Sequence, residues 1–327
     1  MFRDKNFLII ALAKTFEAKE RVALNYIQAI INNGGNVIVY CAANSPLDKA
    51  VEKLGIKRLH YKARRVKSFF DLDKVFKISE ILKTQQIDLV HSFDEVFIWW
   101  LAFLLRNKPM VPLVHSIFKS SLINYNKFWH KFIINRIDHI MIPSEELATS
   151  LLNKFPVKER TFKLNAFGIP NYTNIIKPAD SIKTRLAWSE DDWVLGLTLE
   201  HMQIKKKTLD SILNFIESFK DIDPKQIGDR RNVKLLILLP ALEQDNKKIK
   251  SFIEQIKAQR MGNFIYVHFL DDWLNEQTHL DLWIVLNSRY FMVDHLINSL
   301  SHGVPILIPR KPFMMEWLEL RRSYGES

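Results

Sequence analysis

Eleven short runs, most of them rich in Val, Ile and Leu without alternation, set the terms for any fold this chain can adopt. In the first half they are residues 7–12, 37–42, 58–61, 88–92, 112–116 and 139–143. In the second half they are residues 193–199, 233–239, 264–269, 282–286 and 305–308. A strand with one face in water alternates in polarity, whereas a strand covered on both faces reads as an unbroken run of Val, Ile and Leu. Between the runs lie segments with helical spacing of apolar residues, such as 21–31, 209–219 and 249–259. Repeated strand, helix, strand units place successive strands parallel, joined by right-handed crossovers.

The pattern occurs twice, and 327 residues suit two cores of about 150 residues each. The expected fold class is therefore α/β, with two Rossmann-like domains. Parallel sheets bind ligands beyond the C-terminal ends of their strands, so the two sheets are expected to face a central cleft. The stretch Asn165-Ala166-Phe167-Gly168-Ile169-Pro170 is rich in turn formers. It divides the chain into an expected first domain, 1–165, and second domain, 166–327.

Charge separates these halves. Residues 1–165 hold 26 Lys and Arg against 15 Asp and Glu, whereas residues 166–327 hold 21 of each. The whole excess of +11 thus lies in the first half, which points to an anionic partner such as membrane lipid or a phosphorylated glycan. Lys62, Arg64, Arg65 and Lys67, followed by Phe69 and Phe70, combine basic and aromatic residues as a membrane surface requires. Trp99 and Trp100 are read as core residues, with bilayer contact as the alternative. No nucleic-acid-binding motif accompanies the charge, and no nucleic acid partner is expected.

One cysteine, Cys41, excludes an internal disulfide framework and fits a reducing compartment. No run reaches the ~18 apolar residues of a membrane span, and the N-terminus lacks the long apolar region of a secretory signal. A cytoplasmic location is expected, peripheral on the inner face of the membrane. The histidines are scattered without ligand spacing, so no metal is expected. Glycine-rich phosphate loops and a Gly-x-Ser-x-Gly elbow are absent, which argues against ATP, NAD and hydrolase readings.

Several stretches resemble a known family. Glu20-Arg21-Val22-Ala23-Leu24, Asn33-Gly34-Gly35-Asn36-Val37, Asp88-Leu89-Val90-His91-Ser92, Pro112-Leu113-Val114-His115-Ser116 and Ile142-Pro143-Ser144 follow one another in the order and spacing of the group 1 (family 4-like) glycosyltransferases. Asn165 to Ile169, Ser301-His302-Gly303-Val304-Pro305-Ile306 and Glu316 continue that resemblance to the end of the chain. It implies the GT-B type of two-domain fold, with acceptor binding in the first domain and the nucleotide sugar in the second.

The donor-site motifs are degenerate. Counting back from Gly303 and Pro305 puts Tyr290 and Asn298 where the resemblance implies two glutamates, the second binding ribose hydroxyls. Asn298 keeps a neutral hydrogen-bonding group, and Tyr290 supplies no carboxylate. Glu17-Ala18 and Pro312-Phe313 replace two glycine pairs. The resemblance also implies a further helix returning to the first domain, so the second domain is expected to be short at its C-terminus.

The resemblance implies a metal-independent reaction in which Lys and helix N-termini stabilise a departing diphosphate. Lys207 is the expected phosphate contact, with Lys205 and Lys206 as alternatives. His115 is the expected catalytic residue, and His91 stands at a second strand end. The expected activity is transfer of a sugar from a nucleotide sugar to a lipid-linked or polysaccharide acceptor in bacterial surface-glycan (lipopolysaccharide or capsule) biosynthesis. A retaining mechanism is implied. The alternative is a catalytically inactive pseudo-glycosyltransferase acting as a glycan-binding or scaffold protein.

Overall fold

Among the described residues every strand pair is parallel. The computed structural model describes residues 2–14, 16, 18–61, 72–95, 97–118, 135–142, 145–152, 162–164, 182–199, 204–218, 232–258, 264–270, 279–285, 299–300 and 302–308. All eleven apolar runs form strands: β1 (Asn6–Ala11), β2 (Asn36–Ala42), β3 (Lys57–Tyr61), β4 (Leu89–Ser92), β5 (Leu113–Ser116), β6 (His139–Ile142), β8 (Trp193–Thr198), β9 (Val233–Pro240), β10 (Ile265–Leu270), β11 (Leu282–Ile284) and β12 (Ile306–Leu307). A twelfth strand, β7 (Phe162–Leu164), pairs with β6 and was not expected from the sequence. Its three residues are too few to register as a run.

The helices, in chain order, are α1 (Ala18–Asn32), α2 (Pro46–Lys53), α3 (Leu72–Thr84), α4 (Ile98–Leu104), α5 (Glu145–Leu152), α6 (Ile182–Arg185), α7 (Lys206–Ser218) and α8 (Lys247–Ala258). The chain divides into two compact units, Met1–Gly168 with Arg310–Ser327, and Ile169–Pro309. The expected boundary between 1–165 and 166–327 falls outside the described residues, as do residues 310–327. Among the described residues no helix is long and apolar enough to cross a membrane.

The first sheet runs β3-β2-β1-β4-β5-β6-β7 and the second β10-β9-β8-β11-β12. Strand order reverses between β1 and β4 in one and between β8 and β11 in the other. At such a reversal the connecting segments leave toward opposite faces and open a crevice above the C-terminal strand ends. Leu8, Ile10, Tyr40, Val90 and Leu113 turn one face of the first sheet toward Ile78 of α3 and Leu101 of α4. Trp99 joins this core at 6% exposure, and the partly buried Trp100 packs against it. In the second sheet Leu195, Leu197, Leu235 and Ile237 pack under Leu209 and Ile212 of α7 and Phe252 of α8. Gly196 lies on the other face, where a Cβ would stand 2.1 Å from Leu280 Cδ1; only glycine admits that approach.

Three aspartates fix strand starts by one device. Asp88, just before β4, accepts the Asn6 amide at 2.8 Å and donates its own amide to the Asn6 carbonyl at 2.9 Å. Asp138 before β6 does the same with Leu113 of β5, at 2.7 and 2.9 Å, and Asp281 before β11 with Val194 of β8, at 2.9 Å for both. Each carboxylate also faces a cation: Lys5 at 2.8 Å, Arg136 at 2.7 Å and Lys183 at 3.6 Å. The Lys5 bond, followed by the Asn6 amide, holds the Asp88 carboxyl below its ordinary range.

Candidate active site

β4, at the first reversal, and its neighbour β5 carry the same tetrapeptide. β4 and β5 both read Leu-Val-His-Ser, yet they pair with a one-residue offset: Val90 lies beside Leu113, His91 beside Val114 and Ser92 beside His115. Since side chains alternate along a strand, that offset sends the two histidines to opposite faces of the sheet. His115 shares its face with Leu113 and Ile117, above α3 and α4. His91 emerges on the α1 side, stacked on Phe93 at 4.3 Å and edge-on to Tyr26 of α1 at 5.1 Å. Both strands were read individually from the sequence; their identity and offset pairing were not.

His115 is 0% exposed. Its Nδ1 donates to the Ser92 carbonyl at 3.0 Å, which fixes the tautomer and leaves Nε2 as a lone-pair acceptor. That Nε2 is buried with no hydrogen-bond partner among the described residues. Burial pushes the imidazole down to about 4; the Ser92 bond and the Asp94 charge oppose this, and Lys19 reinforces it. His115 is therefore neutral at pH 7, suited to accept a hydrogen bond from a hydroxyl and unsuited to stabilise charge as an imidazolium. His91 pairs through Nε2 with Ser116 Oγ at 2.8 Å, and burial with the nearby His115 takes it to about 3. Burial likewise raises the Tyr26 hydroxyl to about 12, so it stays protonated.

The first turn of α1 approaches the same sheet end. Glu20 is 0% exposed, with Lys19 Nζ at 3.6 Å from its Oε1. The guanidinium of Arg21 donates to the Phe16 carbonyl at 3.0 Å, closing the turn that enters α1.

In the second unit, Lys205, Lys206 and Lys207 are exposed around the N-terminus of α7, the helix that follows β8 at the second reversal. A helix N-terminus presents unpaired amides and about half a positive charge, so lysines there reinforce an anion site. Tyr290, Asn298 and Glu316 lie outside the described residues, as do Glu17, Lys62, Arg64, Arg65 and Lys67. Of the neighbouring basic residues, Lys57 bonds Gln85 and Arg58 bridges Asp48 and Glu52, so neither is a free surface charge.

A further group lies at the C-terminal ends of β2 and β3. Asp48 in the first turn of α2 receives the Asn44 amide on Oδ2 at 2.9 Å, while its Oδ1 faces His60 Nε2 at 2.7 Å, Arg58 Nη1 at 3.1 Å and Cys41 Sγ at 3.8 Å. Burial works to raise the Asp48 carboxyl, but the bonds from His60 and Asn44 and the charges of His60 and Arg58 outweigh it and hold it low. Burial first, then Asp48, pushes the Cys41 thiol up to about 12. No spacing in the sequence announced this group, because a parallel crossover brings its members together.

Residues 20–164 match the family model described as Glycosyltransferase Family 4. No curated protein matches the chain. Among solved structures, HepE of Anabaena in complex with UDP and glucose is similar at 14% identity, covering 95% of this chain and 82% of that one, with a TM-score of 0.69. A glycosyltransferase from Rickettsia africae is similar at 14% identity, covering 86% and 72%, with a TM-score of 0.63. A UDP-N-acetylglucosamine 2-epimerase from Rickettsia bellii is similar at 13% identity, covering 94% and 79%, with a TM-score of 0.60. The chain has the two-domain GT-B fold. The likeness to that family covers residues 20–164 of the 327.

Proposed function

We propose that the protein transfers a sugar from a nucleotide-sugar donor to a lipid-linked or polysaccharide acceptor in bacterial surface-glycan assembly. The observation that carries this reading is the lysine group at the N-terminus of α7, beside the strand reversal of the second sheet. Departure of a nucleoside diphosphate needs positive charge that is already in place, and Lys207 with Lys205 or Lys206 supplies it without a metal. The family match over the first domain supports the acceptor side. HepE, a fold neighbour, is described with UDP and with glucose. The basic and aromatic segment around Lys62, Arg64, Arg65 and Lys67 supports a protein peripheral on an anionic membrane.

The test is calorimetric titration with UDP, GDP and their sugars, followed by product analysis with the sugar that binds. Binding lost in Lys207→Ala supports the donor site. A second reading rests on the sequence positions Tyr290 and Asn298, which lack the implied carboxylates. In it the protein is a catalytically inactive scaffold that holds a glycan. Absence of nucleotide binding in both the wild type and an Asn298→Glu, Tyr290→Glu variant selects this second reading over the first.

A further inference from the structure

Cys41, Asp48 and His60 offer a sulfur, a carboxylate oxygen and an imidazole nitrogen that all lie within 4.8 Å of one another. We propose that this group is a binding site for a zinc-like divalent ion, separate from the sugar-transfer site. Three features support a site over a chance cluster. The donor set is that of zinc: thiolate, imidazole and carboxylate. Its members come from three elements, β2, α2 and β3, whose backbones are fixed by the sheet and by the Ser45 cap, which accepts the Asp48 amide at 3.1 Å. The group is also reachable, since the His60 side chain is 39% exposed while Cys41 and Asp48 are buried beneath it.

The geometry is close to what the ion requires. Ligands of a tetrahedral zinc stand about 3.4–3.6 Å apart, given bonds of about 2.0–2.3 Å. Sulfur and carboxylate oxygen are at 3.8 Å, carboxylate oxygen and imidazole at 2.7 Å, and all three atoms lie within 4.8 Å, so the imidazole must withdraw from the carboxylate while keeping within reach of the sulfur. Three protein ligands leave a fourth position for water on the exposed side. The thiol proton passes to solvent when the ion binds. Arg58 is the competitor. Its Nη1 neutralises Asp48 at 3.1 Å, but its Nη2 also holds Glu52 at 2.7 Å, so the guanidinium keeps a partner when an ion takes Asp48. Three strand spacings of about 4.8 Å separate β2 from β5, placing this group roughly 14 Å from His115.

Cobalt titration of the full chain tests the proposal, because cobalt replaces zinc with a visible spectrum. Cys41 is the sole cysteine, so any thiolate-to-cobalt charge-transfer band reports on this group alone. The expected result is a saturable band that zinc displaces, that weakens at least tenfold in His60→Gln, and that strengthens roughly fivefold in Arg58→Gln as the competing ion pair is removed. At a hundredfold excess over Kd, zinc should raise the melting temperature of the wild type by roughly 5–10 °C. It should leave the Cys41→Ser melting temperature unchanged. His60→Gln acts at a partly exposed position and keeps the test open if Cys41→Ser does not fold. No band in the wild type or in Arg58→Gln at millimolar cobalt overturns the proposal. So does a band that His60→Gln leaves unchanged, since that is a thiolate binding cobalt without the site.

Discussion

Acidification should destabilise this protein through two histidines that resist protonation while buried. His91 and His115 are neutral in the folded chain, with values of about 3 and about 4, whereas an unfolded histidine titrates near 6.5. A folded value depressed below the unfolded one means that the unfolded chain binds more protons between the two. Stability is therefore complete above pH ~6.5 and is lost as pH falls toward the folded values. From pH 7 to pH 5 each imidazole withdraws about 2 kcal/mol, or about 4 kcal/mol together, against a total of roughly 5–15 kcal/mol. Asp48 and Asp88, whose carboxyls are held low, stay ionised in both states over this window and contribute little to the slope. The assay is urea unfolding of the full chain at pH 7, 6 and 5. A His91→Gln, His115→Asn variant serves as comparison, its amides replacing the bonds to Ser116 and to the Ser92 carbonyl. We expect the wild-type midpoint to fall steeply and the variant's to fall much less. A wild-type midpoint constant from pH 7 to pH 5, or an equal slope in the variant, refutes the reasoning, as would NMR resonances of the two imidazoles titrating near pH 6.5.

Other expectations follow from particular residues. Lys207→Ala should weaken UDP or GDP binding by about tenfold, while Asn298→Glu with Tyr290→Glu should strengthen it by a similar factor, both read by calorimetry. Neutralising Lys62, Arg64, Arg65 and Lys67 together should abolish sedimentation with anionic vesicles at physiological salt, at about 1 kcal/mol for each basic residue. Gly196→Ala should cost about 1–3 kcal/mol by forcing a methyl against Leu280, and Gly196→Ala with Leu280→Ala should destabilise by less than the sum of the two single changes. Denaturant midpoints of the four proteins decide that case.

The architecture was legible because buried parallel strands have so distinctive a composition: the run 7–12 became β1 and the run 233–239 became β9, each within a residue. β7 escaped because Lys163 interrupts its only two apolar residues and, among the described residues, it pairs with β6 alone. Sites were harder to see for a different reason. His115 stands out as a histidine ending an apolar strand, but its lone pair is free only because the Ser92 carbonyl occupies the other nitrogen, a matter of register. Cys41, Asp48 and His60 converge through a crossover whose geometry no spacing encodes. Lys205, Lys206 and Lys207 were found by composition, and their value depends on the helix that begins among them.

The paired aspartates at the strand starts carry one further consequence. Asp88, Asp138 and Asp281 act as pegs along the lower margin of each sheet, gripping a neighbouring strand by an amide and carbonyl near its start. Alignment is decided there, at the end away from the upper rim where histidines, lysines and loops gather. The rim is thereby released from any duty of holding the strands in place. A chain built this way can change residues at that rim without slipping its sheets. Specificity can drift, or lapse altogether, on a scaffold that keeps its shape.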